Sequence, residues 1–93
     1  MITHCYFYKL KPGFSPEEAK QKLLSMREII STINSIEVGC NFSQASNAFD
    51  IVQLSRFKSE QDFAAFVEHP YHQELRDYFI KAAYETAKVD FKT

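Results

Sequence analysis

The sequence predicts an α+β fold in which a four-stranded antiparallel sheet carries helices on one face. Three observations predict it. Strand-like stretches stand at both ends of the chain, with two more side by side in the middle. An amphipathic helical stripe follows the first strand. A second helical region, interrupted by a proline, precedes the last. The order β-α-β-β-α-α-β makes two split βαβ-type halves, a ferredoxin-like sandwich.

Residues 2–11 are rich in β-formers and read as the first strand. One parity carries Ile2, His4, Tyr6, Tyr8 and Leu10, and the other Thr3, Cys5, Phe7, Lys9 and Lys11. Both faces are largely apolar, so this strand needs cover on both sides. Pro12-Gly13 breaks it. Ser15-Pro16-Glu17-Glu18 then starts a helix: serine at the cap, proline at the first helical position, and Glu18 placed for a capping box. Ala19, Leu23, Met26, Ile30 and Ile33 form its inner stripe at steps of three and four, with an end expected near 32–34.

Ile36, Val38, Cys40 and Phe42 alternate with polar or small residues as a half-buried second strand, and Gln44–Ala48 reads as a turn. Phe49–Lys58 is the third strand, antiparallel to the second. Ser59 caps another helix with Phe63, Phe66 and Val67 inside, which must stop before Pro70 because a residue ahead of proline is pushed out of helical geometry. A helix resumes from Tyr71 to about Lys81, with Leu75, Tyr78 and Phe79 on its apolar side. The fourth strand spans Tyr84–Lys92.

With 93 residues, the chain reads as one domain, 1–93. A domain of this size buries roughly 60–65% of its unfolded surface. Nine Phe and five Tyr compensate, since each aromatic ring buries roughly 150–250 Å². A net charge of −1 with scattered cations argues against a nucleic-acid partner. No signal peptide or membrane-spanning stretch is evident, which predicts a cytoplasmic protein without a membrane partner. Cys5 and Cys40 lack metal-site spacing and read as small core or interface residues without a disulfide. A sheet with helices on one face only leaves Cys5, Phe7, Val52 and Leu54 bare on the other. A second copy would cover them, and a two-fold homodimer is the commonest closed symmetry.

Polar chemistry concentrates at His69-Pro70-Tyr71-His72, between two helices, and the remaining histidine is His4. Imidazole titrates near pH 6.5, so a neutral histidine is an available base. The alternative for His72 is a structural role, capping the helix by bonding the preceding turn or a partner on the first strand. His69 sits where the dipole of the preceding helix favours a partly positive ring. No acidic or thiolate set completes a metal site beside the histidines. Asp50 and Asp90 read as solvated or ion-paired single carboxylates, and there is no phosphate loop or nucleophile elbow.

The chain resembles the stress-responsive dimeric α/β-barrel family. The resemblance rests on His4 in an opening strand ending Tyr8-Lys9-Leu10-Lys11, on Phe49-Asp50-Ile51-Val52 leading to Phe57 and Ser59, on His69-Pro70-x-His72, and on Val89-Asp90-Phe91. These pieces fall in order along nearly the whole chain, and the resemblance implies that two ferredoxin-like subunits join their sheets into one barrel. Polyketide cyclases of the wider superfamily are similar in the opening strand and the HPxH segment. That similarity implies His72 as catalytic base and His4 as a second catalytic or pocket histidine. The tyrosine that assists the base in those enzymes, six residues before it, is Phe66 here. Tyr6, Tyr8 and Tyr71 are the other sources of a hydroxyl.

The sequence thus predicts a homodimer with a small, largely apolar pocket between sheet and helices, lined by His4, Tyr6, Tyr8, Met26, Ile30, Phe66 and His72. Its ligand would be a small hydrophobic or aromatic compound, with no cofactor and no metal. The alternatives are an acid–base enzyme of the polyketide cyclase or cofactor-independent monooxygenase kind, a haem-linked monooxygenase, and a non-catalytic stress or assembly protein.

Overall fold

The first strand, β1 (Ile2–Leu10), is central in the computed structural model, which describes residues 1–93. It pairs antiparallel with β3 (Ile51–Phe57) on one side and β4 (Ala83–Lys92) on the other, and β2 (Ser35–Cys40) extends the sheet beyond β3. The sheet order is β2-β3-β1-β4. Helices α1 (Pro16–Ile29), α2 (Glu60–Glu68) and α3 (Pro70–Ala82) complete the predicted β-α-β-β-α-α-β sequence of elements. No helix is long and apolar enough to cross a membrane.

The helix starts follow their local chemistry. Ser15 Oγ accepts from the Glu18 amide, and Ser59 Oγ from the Asp62 amide, each satisfying one orphan donor of a first turn. Helix α1 ends at Ile29, earlier than the sequence reading expects. Ile30 takes extended backbone angles while its amide still bonds to Met26, and Ile33 reaches the core from a turn. The second strand is likewise shorter than its alternation suggests. Phe42 lies beyond it and is 96% exposed rather than half-buried.

The period-two pattern of β3 decides which face is inside: Ile51, Gln53, Ser55 and Phe57 are buried, and Val52, Leu54 and Arg56 are half-buried on the opposite face. Leu23, Met26, Ile30, Ile33, Phe57 and Phe66 make the centre of the core. Burying one such side chain contributes about 1.5–3 kcal/mol. Cys5 and Phe7 join Val52 and Leu54 on the outer face, where they are register neighbours. Cys40 is exposed on the helix-facing parity, which rules out the core half of the core-or-interface expectation for it, and both cysteines are free.

Asp50 has a structural task. Its carboxylate accepts from the Leu10 amide at 2.7 Å, where the β1–β4 register shifts and the ladder leaves that amide unpaired. This closes the sheet at the end remote from His4.

Candidate functional site

The helix break at Pro70 sets the orientation of His72. In an unbroken helix the Phe66 carbonyl would receive the amide of residue 70, but proline has none. The His69 amide serves it instead, at 3.1 Å. The Tyr71 amide, due to the Val67 carbonyl, donates to His69 Nδ1 at 3.0 Å. His69 thereby caps the start of α3 through a ring lone pair, so the dipole role expected for it at the end of α2 is not the one it plays. Val67 is left with a free carbonyl, and two side chains take it: His72 Nδ1 at 3.0 Å and Gln73 Nε2 at 2.7 Å.

A carbonyl only accepts, so the neutral His72 ring carries its proton on Nδ1 and keeps a lone pair on Nε2. Burial lowers the His72 pKa below its ordinary value; the hydrogen bond to Val67 opposes that, while the charges of His4, Arg76 and His69 reinforce it. His72 is therefore a neutral base at pH 7, fixed in one tautomer. The capping role foreseen for this residue and its availability as a base coexist on its two nitrogens.

His4 is buried on β1, and its Nδ1 hydrogen-bonds the carboxylate of Asp90, directly opposite on β4. Asp90 also faces Lys88 at 3.5 Å. The expected meeting of His4 with His72 does not take the form of a hydrogen bond. The Phe66 ring contacts both, with centroids 5.9 Å from His4 and 4.4 Å from His72. Phe66 has no exposure and also packs on Phe57 at 4.9 Å. Position 66 thus works as an apolar spacer between two imidazoles.

Beside these rings lies a cavity of about 600 Å³ between the sheet and α2–α3, opening toward β4. His4, Tyr6, Tyr8, Met26, Phe66 and His72 line it. Ile30 does not. It is 1% exposed, at the C-cap of α1, and belongs to the core rather than to the cavity wall. Gln53, Phe63, Arg76 and Phe79 also line it, although none of them is in the predicted lining. Arg76 and Phe79 follow His72 at steps of four and seven on α3, a spacing that puts them on its face. Gln53 is the register partner of Tyr6, visible only once β1 and β3 are paired.

The tyrosines divide their labour. Tyr8 donates to Gln53 Oε1 at 2.9 Å, and Gln53 Nε2 donates to Ser55 Oγ at 2.8 Å, a buried polar chain across the sheet. Burial, seconded by Tyr6, pushes the Tyr8 phenol far above its ordinary pKa, so it remains a donor. Tyr71 bonds Ser25 at 2.6 Å and ties α3 to α1. Tyr6 alone of the candidate phenols lines the cavity with no hydrogen-bond partner within the chain. No group of three or more His, Cys, Asp or Glu side chains is placed to hold a metal ion.

The profile of the Stress Responsive A/B Barrel Domain matches residues 2–93. The chain belongs to this family. Its fold recurs in solved structures. A dimeric ferredoxin-like protein of unknown function from Thermobifida fusca matches with a TM-score of 0.85 at 18% identity, over 99% of this chain and 90% of that one. The hydroxynitrile lyase of Passiflora edulis matches with a TM-score of 0.85 at 18% identity, over 97% and 90% of the two chains. A dimeric protein of unknown function from Bacteroides fragilis reaches 0.73 at 25% identity, over 99% and 95%. No curated protein matches the chain in sequence. In this A/B barrel domain the histidines at 4 and 72 thus stand on a scaffold shared by an enzyme and by proteins of unknown function.

Proposed function

We propose that this A/B barrel domain is a cytoplasmic homodimer that binds a small hydrophobic or aromatic molecule in the cavity of each subunit. The observation that carries the reading is His72, a base kept neutral by burial and held in one tautomer by Val67, on the wall of a mainly aromatic and aliphatic cavity. An apolar pocket with a few convergent polar groups suits a small ligand. Dimerisation is supported by the half-buried apolar residues Cys5, Phe7, Val52 and Leu54 on the outer sheet face, and by relatives of this fold that are dimers.

A thermal-shift screen of aromatic compounds, repeated with His72→Ala, tests the pocket. Stabilisation that weakens in the variant is expected, and ligands that bind both proteins equally would remove His72 from the site. Light scattering at micromolar concentration tests the assembly. A mass twice the 10.8 kDa of the chain is expected, falling to one copy in Leu54→Glu, and a monomeric wild type would end the dimer reading.

A second reading, proton transfer on the bound molecule, is favoured by the free Nε2 of His72 and by the hydroxynitrile lyase of the same fold. His72 would remove a proton from a carbon or oxygen acid, as in a polyketide cyclase-like reaction, with Tyr6 as the available phenol. Exchange of an acidic C–H of a bound aromatic ketone with deuterated water, followed by NMR, should be lost in His72→Ala. Unchanged exchange would leave a binding protein.

A further inference from the structure

Charge at the cavity mouth is compensated except in one place. Three lining residues carry permanent charges there: Arg76, Glu85 and Lys88. Glu85 faces Lys9 at 3.5 Å and Lys88 faces Asp90 at 3.5 Å. Arg76 has neither an ion-pair partner nor a hydrogen bond within the chain. It stands one helical turn beyond His72 on α3, so the two side chains are neighbours, about 5–6 Å apart at Cβ. Their proximity is felt electrically, since the guanidinium charge is among the influences on the His72 ring. Below this pair the wall is apolar: Phe63, Phe66, Leu75 and Phe79.

We propose that Arg76 makes this cavity a site for organic acids, with the hydrophobic body of the ligand on the aromatic wall and its carboxylate on the guanidinium at the mouth. The inference rests on the reading that the cavity binds a small molecule, and adds the chemical class. A guanidinium presents a planar fork that matches a carboxylate with two parallel N–H···O bonds, a match that a lysine does not offer. The apolar wall excludes inorganic anions as the preferred occupant, because they would leave it wet. The carboxylate held by Arg76 would also lie within reach of the His72 ring and offset the cationic charge that now acts on it.

The test compares carboxylates with their primary amides on the same skeletons, phenylbutanoate against phenylbutanamide and naphthoate against naphthamide, by calorimetry at low and high salt. The amides keep the shape, lose the charge and exchange one acceptor oxygen for an NH2 donor, so they cannot pair with both arms of the guanidinium. The carboxylates should bind wild type about tenfold more tightly than the amides, a difference of the size one charge-assisted contact makes. Arg76→Gln should erase that preference, and Arg76→Lys should restore part of it. Histidine NMR titration gives a second readout: a bound carboxylate, unlike a bound amide, should raise the His72 pKa. Equal binding of acid and amide by wild type, or a preference that survives Arg76→Gln, overturns the role of Arg76 and leaves the pocket standing. Failure of both compound classes to bind overturns the pocket and the anion site together.

Discussion

His4 hydrogen-bonds through Nδ1 to the carboxylate of Asp90, its register partner 86 residues later on the edge strand β4. The contact joins the two ends of the chain across the sheet and leaves the His4 Nε2 free. Asp90→Ala strips a buried donor of its partner, a loss of about 1–3 kcal/mol. Urea unfolding should show that drop, with a smaller one for Asp90→Asn, whose carbonyl oxygen still accepts from Nδ1. Equal stability of wild type and Asp90→Ala would show that the pair contributes nothing to the fold.

The lowered pKa of His72 sets a pH dependence of known sign. In the unfolded chain this histidine takes a proton near pH 6.5, and in the fold it resists until lower pH. Between those two points the unfolded state binds more protons, so stability rises with pH through the window and falls as pH drops from 6.5 through the folded value. The contribution is fully present above pH 6.5. Chemical-denaturation midpoints from pH 8 to pH 5 should decline less steeply in His72→Gln than in wild type. Parallel profiles would contradict the assignment.

His69→Ala should cost about 0.5–2 kcal/mol, the usual value of an N-cap. His69→Asn, whose side-chain oxygen can accept from the Tyr71 amide in place of Nδ1, should recover most of it. Circular dichroism melting of the three proteins measures this directly. A fully stable His69→Ala would mean that the cap is dispensable.

Tyr8→Phe removes the donor to Gln53, a residue 2% exposed. The expected loss is about 1–3 kcal/mol, read from denaturant midpoints at an unchanged m-value. In Tyr6→Phe, which breaks no hydrogen bond within the chain, stability should stay near wild type. Any effect of that substitution should appear in ligand binding.

Much of the candidate site was legible because it depends on local spacing. The HPYH segment announces a helix break, and a break leaves a carbonyl for a nearby ring to take. The parity of the first strand put His4, Tyr6 and Tyr8 on one face. Ile30 misled because its helical spacing is right, while the helix ends one residue before it. Phe42 misled for a similar reason: alternation continues in the sequence after β2 has lost its pairing partner. Arg76 was within reach of the helical period, yet nothing local distinguishes an arginine with a counter-charge from one without.

By itself, then, the sequence determined the order of elements, the serine caps of α1 and α2, the inner face of β1 and β3 and the residues that break the second helical region. All of these follow from turn chemistry and periodicity within a few residues. Only the tertiary structure decided that His4 pairs with Asp90, that Phe66 stands between the two imidazoles, and that Arg76 is the unpaired charge at the mouth. Those relationships join segments tens of residues apart. They are set by strand register and by the way α2 and α3 lie over the sheet, which no window of sequence contains.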